Sequence, residues 1–258
     1  MSSVRISRDG AIGRLTLARP AKRNALDRAM ADDLHAALQE MDANESVRAV
    51  SLAGDGPDFC AGADLAALEQ MLDAGPEVHR EDATALGGVF LQIRAMSKPV
   101  VALVTGRALA GGAGLATACD IVLAHEAARF GYPEVKVGFV PAMVLTMLRR
   151  CVGEKHAFDL VATGRTIDAR EAERIGLVSR VFAAESFESD CEAVVEGLSR
   201  SPTMALAMTK RLFYDLDSMP FAQGVALGVT TNAAARATAD FRDGVRRFVA
   251  RPRVENER

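Results

Sequence analysis

The chain has 258 residues, 49% of them apolar and 25% charged, with a formal net charge of −3. That length suits one or two domains with a substantial core, and the slight negative charge argues against a nucleic-acid-binding surface. The most apolar span, residues 99–124, is interrupted by Arg107, Asp120 and several glycines, so it makes a poor membrane helix.

The opening MSSVRISRDG has no apolar stretch of the kind a signal peptide carries. Residues 11–18 (AIGRLTLA) read as a strand that ends at Arg19-Pro20. A helix is expected over 27–41, with Asp27 as its N-cap and Met30, Leu34, Ala37, Leu38 and Met41 on one face. A buried strand over 47–53 runs into a loop at 54–62, and a helix starts near Ala63. The polar residues 73–82 read as a mobile surface segment, and 84–96 as helix. Residues 99–104 form a short apolar strand, followed by a glycine corner, a helix to Cys119 and a strand at 121–124. Residues 128–141 read as strand plus loop.

Beyond residue 143 the texture is helical: 143–151, 154–162, 168–175, 186–199, 202–216, 220–237 and 239–250, with one strand at 176–181. An α/β core of about 180 residues is therefore followed by a helical tail. The basic run RRFVARPRV (246–254) suits a solvated helix end. Four scattered cysteines, Cys60, Cys119, Cys151 and Cys191, form no metal-ligand spacing. They read as small buried hydrophobes and fit a reducing, cytoplasmic setting.

Two corners share one design. GDGPDFCAGADLAAL (54–68) and GRALAGGAGLATA (106–118) each take the chain from an apolar strand through glycines into a helix. A helix start carries free N–H groups and partial positive charge, and glycine admits close approach of a ligand. Two facing corners could give one N–H each to a single oxygen, as an oxyanion hole does; tight turns that merely need glycine are the plainer alternative. A phosphate loop is excluded because no GK[ST] follows. A dinucleotide fingerprint at Gly112 and Gly114 fails at Thr117 and lies too far beyond Val104.

These corners, together with RPAKRNAL (19–26), FCAGADL (59–65), CDIVLA (119–124), ARFGYPEVKVGFVPA (128–142), TGRTIDAREAERIGLVSRV (163–181) and DFRDGVRRFVARPRV (240–254), resemble the enoyl-CoA hydratase/isomerase (crotonase) superfamily over essentially the whole chain. The resemblance implies an α/β spiral of ββα repeats over 1–195 that holds the acyl-CoA site. It further implies a helical region at 196–258 that assembles a homotrimer or a dimer of trimers. It implies an acyl-CoA thioester as substrate, with coenzyme A entering as part of that substrate, and no separate cofactor, metal, nucleic acid or membrane partner. By position, Ala63 and Gly111 would hold the thioester oxygen. Lys22, Ala25, Ala61 and Leu65 would line the coenzyme A path. Phe248 would touch its adenine end, although on the residues alone it also reads as a buried helix aromatic.

The same positions imply the chemistry. Typical hydratases of the family place two glutamates at the double bond. The second falls on Glu134, and the first on Gly114, which has no side chain. Glu134 lies in an apolar stretch, where desolvation would raise its pKa toward a range useful for proton transfer. One carboxylate can activate water and return the proton to the α-carbon. The surrounding sequence resembles a branch that includes methylglutaconyl-CoA-type hydratases, so hydration of a 2-enoyl-CoA is the expected reaction. The alternatives are a Δ3-to-Δ2 enoyl-CoA isomerase and a non-catalytic acyl-CoA-binding relative. Arg107 and Lys136 would either meet an acidic acyl tail or be ordinary exposed charges. Asp64 reads as a residue complementing a helix start.

Overall fold

A computed structural model describes residues 2–250, and the chain divides into two compact units after Arg200. Among the described residues the strands are β1 (Val4–Asp9), β2 (Ile12–Leu17), β3 (Ala49–Gly54), β4 (Val100–Val104), β5 (Arg107–Leu109), β6 (Ile121–His125), β7 (Arg129–Gly131), β8 (Thr166–Asp168) and β9 (Arg180–Phe182). The helices of the first unit are α1 (Arg28–Ala43), α2 (Leu65–Glu69), α3 (Pro76–Ala95), α4 (Gly111–Ala118), α5 (Ala142–Thr163), α6 (Ala169–Arg174) and α7 (Phe187–Arg200).

One sheet has the order β1-β2-β3-β4-β6-β9. Its β1–β2 hairpin is antiparallel and the remaining pairs are parallel. Parallel strands need long crossovers, and here helices supply them. The sheet is covered on both faces, which is why PVVALV carries no polar residue. Val100, Ala102 and Val104 join the larger core with residues of α1, α3 and α4, whereas Val101 and Leu103 pack with Phe187, Cys191 and Val195 of α7. That split follows from the two-residue period of a strand. A second sheet, β5-β7-β8, is only three residues deep; β5 and β7 are parallel, and β8 returns antiparallel.

The α1 pattern is realised as expected. The Asp27 carboxylate accepts from Met30 N–H, and Met30, Leu34, Leu38 and Met41 are fully buried. Burial of each is worth about 1.5–3 kcal/mol. The two helices expected at 143–151 and 154–162 are the two arms of α5, broken at Gly153.

Several expectations are corrected. Residues 73–82 do lie at the surface, but they are not without regular structure, because α3 already begins at Pro76 with Gly75 as N-cap. Its first turns bury nothing, and the apolar period appears only at Val89, Phe90 and Ile93. The strand expected at 176–181 is confined to Arg180–Phe182. Strands β1, β5 and β8 were not anticipated; β1 has an exposed, mostly polar sequence, β5 lies inside the glycine corner, and β8 adds a second strand to the run read as helical apart from 176–181. Cys60, Cys119 and Cys191 are buried, but Cys151 is exposed.

The second unit contains α8 (Thr203–Asp215), α9 (Phe221–Arg236) and α10 (Ala239–Val249). Thr238 caps α10 through its hydroxyl, which accepts from Phe241 N–H. Residues 251–254 of the basic run lie outside the described residues. Among the described residues no helix is long and apolar enough to cross a membrane.

Gly106 has φ +53°, and a Cβ there would sit 2.0 Å from the Pro57 carbonyl oxygen. Gly106→Ala is therefore expected to cost roughly 2–4 kcal/mol. Gly88 lies in α3 with nothing within 4 Å of an added Cβ, so Gly88→Ala is expected to gain about 0.5–1 kcal/mol. Urea unfolding of the two variants checks the contrast.

Candidate active site

The site is assembled from three segments far apart in sequence. Loop 55–63 follows β3, and residues 105–110 lead into α4. A backbone ladder joins them: Phe59 N–H donates to Thr105 O at 2.9 Å, Cys60 N–H to Arg107 O at 3.0 Å, and Leu109 N–H to Cys60 O at 3.0 Å. Segment 23–26 closes the other side of the loop. Ala61 N–H donates to Arg23 O at 3.0 Å, Leu26 N–H to Gly62 O at 2.7 Å, and Asp64 N–H to Leu26 O at 2.8 Å.

Gly62 (φ +95°) lies between these strips, and a Cβ there would be 2.8 Å from both Leu109 O and Ala110 Cβ and 3.5 Å from Gly111 N. The two corners thus touch where Gly62 meets Leu109 and Ala110, the residues just before Gly111. Leu26 and Ala63 form a parallel bridge, in which the bonds to Leu26 come from the neighbours of Ala63 and leave its own N–H facing away. Gly111 is the first residue of α4, where N–H groups have no intrahelical partner. Among the described residues no protein acceptor takes either N–H. Ala110 adopts φ 48° and ψ −125°, a conformation that costs an alanine about 1–3 kcal/mol. The strain is held by Ala110 N–H donating to Gly131 O at 2.8 Å.

That last bond belongs to the device that delivers Glu134. The β5–β7 register sets Leu109 opposite Gly131. Three residues later Glu134 enters a 3-10 turn, Pro133–Val137. The pairing therefore brings residue 134 toward the start of α4 although 23 positions separate it from Gly111. Glu134 is 8% exposed, and its Oε2 has no hydrogen-bond partner among the described residues. Burial pushes its pKa above the ordinary glutamate value, because an ion loses hydration there without a countercharge.

Gly114, one helical turn beyond Gly111, faces apolar side chains. A Cβ there would lie 2.5 Å from Val144 Cγ2 and 3.3 Å from Phe90 Cζ. The place where a second carboxylate would start is filled.

Lys22 is half-exposed, and its Nζ donates to Asp64 Oδ2 at 2.8 Å. Arg19 Nη2 reaches the same oxygen at 2.8 Å, while its Nη1 pairs with Asp27 at 2.7 Å. Lys22 and Arg19 hold the buried Asp64 carboxyl down at about 2, and Asp64 also caps α2 by accepting from Ala66 N–H. The helix-start reading of Asp64 holds; its double ion pair was not read from the sequence. Lys22, Ala25, Ala61 and Leu65 share this neighbourhood through the Ala61–Arg23, Leu26–Gly62 and Lys22–Asp64 bonds. Ala25 is buried, and Leu65 is 68% exposed. Phe248 is in α10 of the second unit and is 76% exposed, so it is not the buried aromatic that its sequence context also allowed.

Arg107 is not free to meet an acyl tail: its Nε and Nη2 bind the Asp58 carboxylate at 2.9 and 2.8 Å. Lys136 is exposed. Among the described residues no three His, Cys, Asp or Glu side chains are grouped to hold a metal. Sequence reading also missed Asn24, a fully buried left-handed residue (φ 55°). Its amide accepts from Arg19 N–H and donates to Asp55 O and Asp58 O, tying segment 19–26 to the first corner. The left-handed preference of asparagine was the available signal.

A sequence profile described as Enoyl-CoA hydratase/isomerase matches residues 7–256. A Thermus thermophilus protein named as a candidate enoyl-CoA hydratase is 43% identical over 229 residues, covering 89% of this chain and 90% of that one. The Escherichia coli protein named 2,3-dehydroadipyl-CoA hydratase is 32% identical over 256 residues, with 96% of each chain covered. A crystal structure of a Mycobacterium smegmatis enoyl-CoA hydratase superposes with a TM-score of 0.92 at 34% identity, again over 96% of each chain. The chain belongs to the enoyl-CoA hydratase/isomerase family and has the crotonase fold.

The raised Glu134 pKa has a sign in stability. The folded state favours the protonated carboxyl, so the penalty is absent below the unfolded glutamate pKa and complete once pH exceeds the folded one. Glu134→Gln removes it. The variant is expected to be more stable than the parent at pH 8, with the difference vanishing toward pH 4, as compared by urea melts at both pH values.

Proposed function

We propose that this enzyme hydrates a 2-enoyl-CoA through an enolate of the thioester. The observation that carries the reading is a buried carboxylate with an unpartnered oxygen, Glu134 Oε2, on the segment that the β5–β7 register leads toward the start of α4, together with Ala63 and Gly111 N–H groups that have no protein acceptor among the described residues. In this reading both N–H groups donate to the thioester oxygen. Glu134 takes a proton from water as the water oxygen bonds to the β-carbon. The C=C electron pair moves toward the oxygen held by the two N–H groups, and the proton on Glu134 then passes to the α-carbon. Donors fixed before reaction in a water-poor site stabilise the developing charge most where it appears. In the same reading Lys22, Ala25, Ala61 and Leu65 line the coenzyme A path.

A second reading, Δ3-to-Δ2 isomerisation, is favoured by one observation: the Gly114 side of the site is closed by Val144 and Phe90, and a 1,3 proton shift needs only one carboxylate. A methylglutaconyl-type substrate would need a cation for its second carboxylate. Arg107 is committed to Asp58, which leaves Lys136 for that task. Oligomerisation as a trimer or dimer of trimers is part of the same proposal, supported by the exposed Phe213, Phe221 and Val229 of the helical unit. So is a cytoplasmic location, supported by cysteines that form no disulfide among the described residues.

Loss of the conjugated-thioester absorbance of crotonyl-CoA reports hydration, and its gain from a 3-enoyl-CoA reports isomerisation. Glu134→Gln is expected to lower kcat by roughly 10²–10⁴-fold in either assay. Wild-type turnover in that variant would overturn the assignment. Gly114→Glu is expected to slow the reaction rather than speed it, and to cost about 1–3 kcal/mol by overpacking Val144; a rate gain with unchanged stability would contradict that.

A further inference from the structure

The Asp58–Arg107 pair links the two corners a few residues before Ala63 and Gly111. Asp58 lies five residues before Ala63, and Arg107 four residues before Gly111. Asp58 is 3% exposed, and its carboxylate takes three donors from one residue. Oδ1 accepts from Arg107 N–H and Nε at 2.9 Å each, and Oδ2 accepts from Nη2 at 2.8 Å. The backbone and the planar fork of Arg107 are thus fixed on one carboxylate, which sets direction as well as distance. The carbonyl of Asp58 accepts from the buried Asn24 amide, joining the third segment to the same point. Gly106 leaves no slack beside it, since a Cβ there would meet Asp58 Oδ1 at 2.7 Å. The guanidinium is partly exposed but the Asp58 carboxylate is buried, so its desolvation offsets much of the attraction and the charge alone is weak evidence of a stabilising role for the pair. Its geometry is better suited to holding one loop at a fixed offset from the other.

We propose that Asp58 and Arg107 are positioning residues that set the spacing between the Ala63 and Gly111 N–H groups, so that both reach one thioester oxygen. This rests on the oxyanion role given to those two groups above. Neither side chain touches the reacting atoms. An error of about 1 Å in such a site lowers the rate by about 10²-fold, whereas ground-state binding, spread along coenzyme A, changes little.

The test compares Arg107→Lys, which keeps the charge and loses the fork, with Asp58→Asn, which keeps the shape and loses the charge. Three quantities are read: kcat and KM for crotonyl-CoA, the carbonyl stretch of the bound thioester by difference infrared spectroscopy, and the melting temperature. Arg107→Lys is expected to lose about 10–100-fold in kcat with KM within about twofold, and to show a smaller carbonyl displacement than the parent. Asp58→Asn is expected to change both readouts in the same direction; if one variant fails to fold, the other still decides. Folded variants with parental kcat and parental carbonyl frequency, whatever their melting temperature, would overturn the proposal and leave the oxyanion role standing. A parent enzyme that binds the thioester with no displaced carbonyl would overturn the oxyanion role itself and the positioning role with it.

Discussion

The contact of Gly62 with Leu109 and Ala110, just before Gly111, is the constraint on which the site depends. Two chain segments that enter helices from different strands approach so closely that a methyl group on Gly62 would meet the backbone of the other corner at 2.8 Å. That approach needs glycine at 62, a strained Ala110 and the ladder through Cys60 and Arg107. Strain of this kind persists only where the surroundings over-determine it. Here they do so through the Ala110–Gly131 bond, which also fixes the strand leading to Glu134. The fold thus couples the Ala63 and Gly111 corners to Glu134, the proposed acid/base group, through a sheet only three residues deep.

The electrostatics of the site are uneven. At one edge, Asp64 is held ionised by Lys22 and Arg19, and Asp58 by Arg107, whose fork keeps its pKa below the ordinary value. At the other edge, Glu134 is buried with an oxygen that nothing in the described protein satisfies. A carboxylate left in that condition costs stability, and natural proteins keep such a cost mainly at functional sites. Packing of Val144 and Phe90 against Gly114 makes the single carboxylate a property of the core as well as of the sequence.

Much of this was legible before any coordinates. The glycine corners announced themselves by composition, Asp27 by its place before an apolar period, and the break in α5 by a change of pattern at Gly153. Glu134 was legible only through resemblance, because a glutamate between proline and valine has no local signature. The short strands β1 and β5 were hidden for opposite reasons: one is exposed and polar, and the other is embedded among glycines. The start of α3 was hidden because its first turns bury no side chain. The Asp58–Arg107 and Asp64–Arg19 pairs join residues more than forty positions apart, and no local pattern marks such partners.

Hydrogen exchange at the α-carbon of a saturated acyl-CoA tests the central claim most directly, since it needs the enolate and the base but no water addition. In deuterium oxide the wild-type enzyme should exchange an α-proton of butyryl-CoA for deuterium, and Glu134→Gln should bind the thioester without exchanging it. Exchange that survives in Glu134→Gln, or a wild-type enzyme that binds butyryl-CoA and exchanges nothing, would contradict the account.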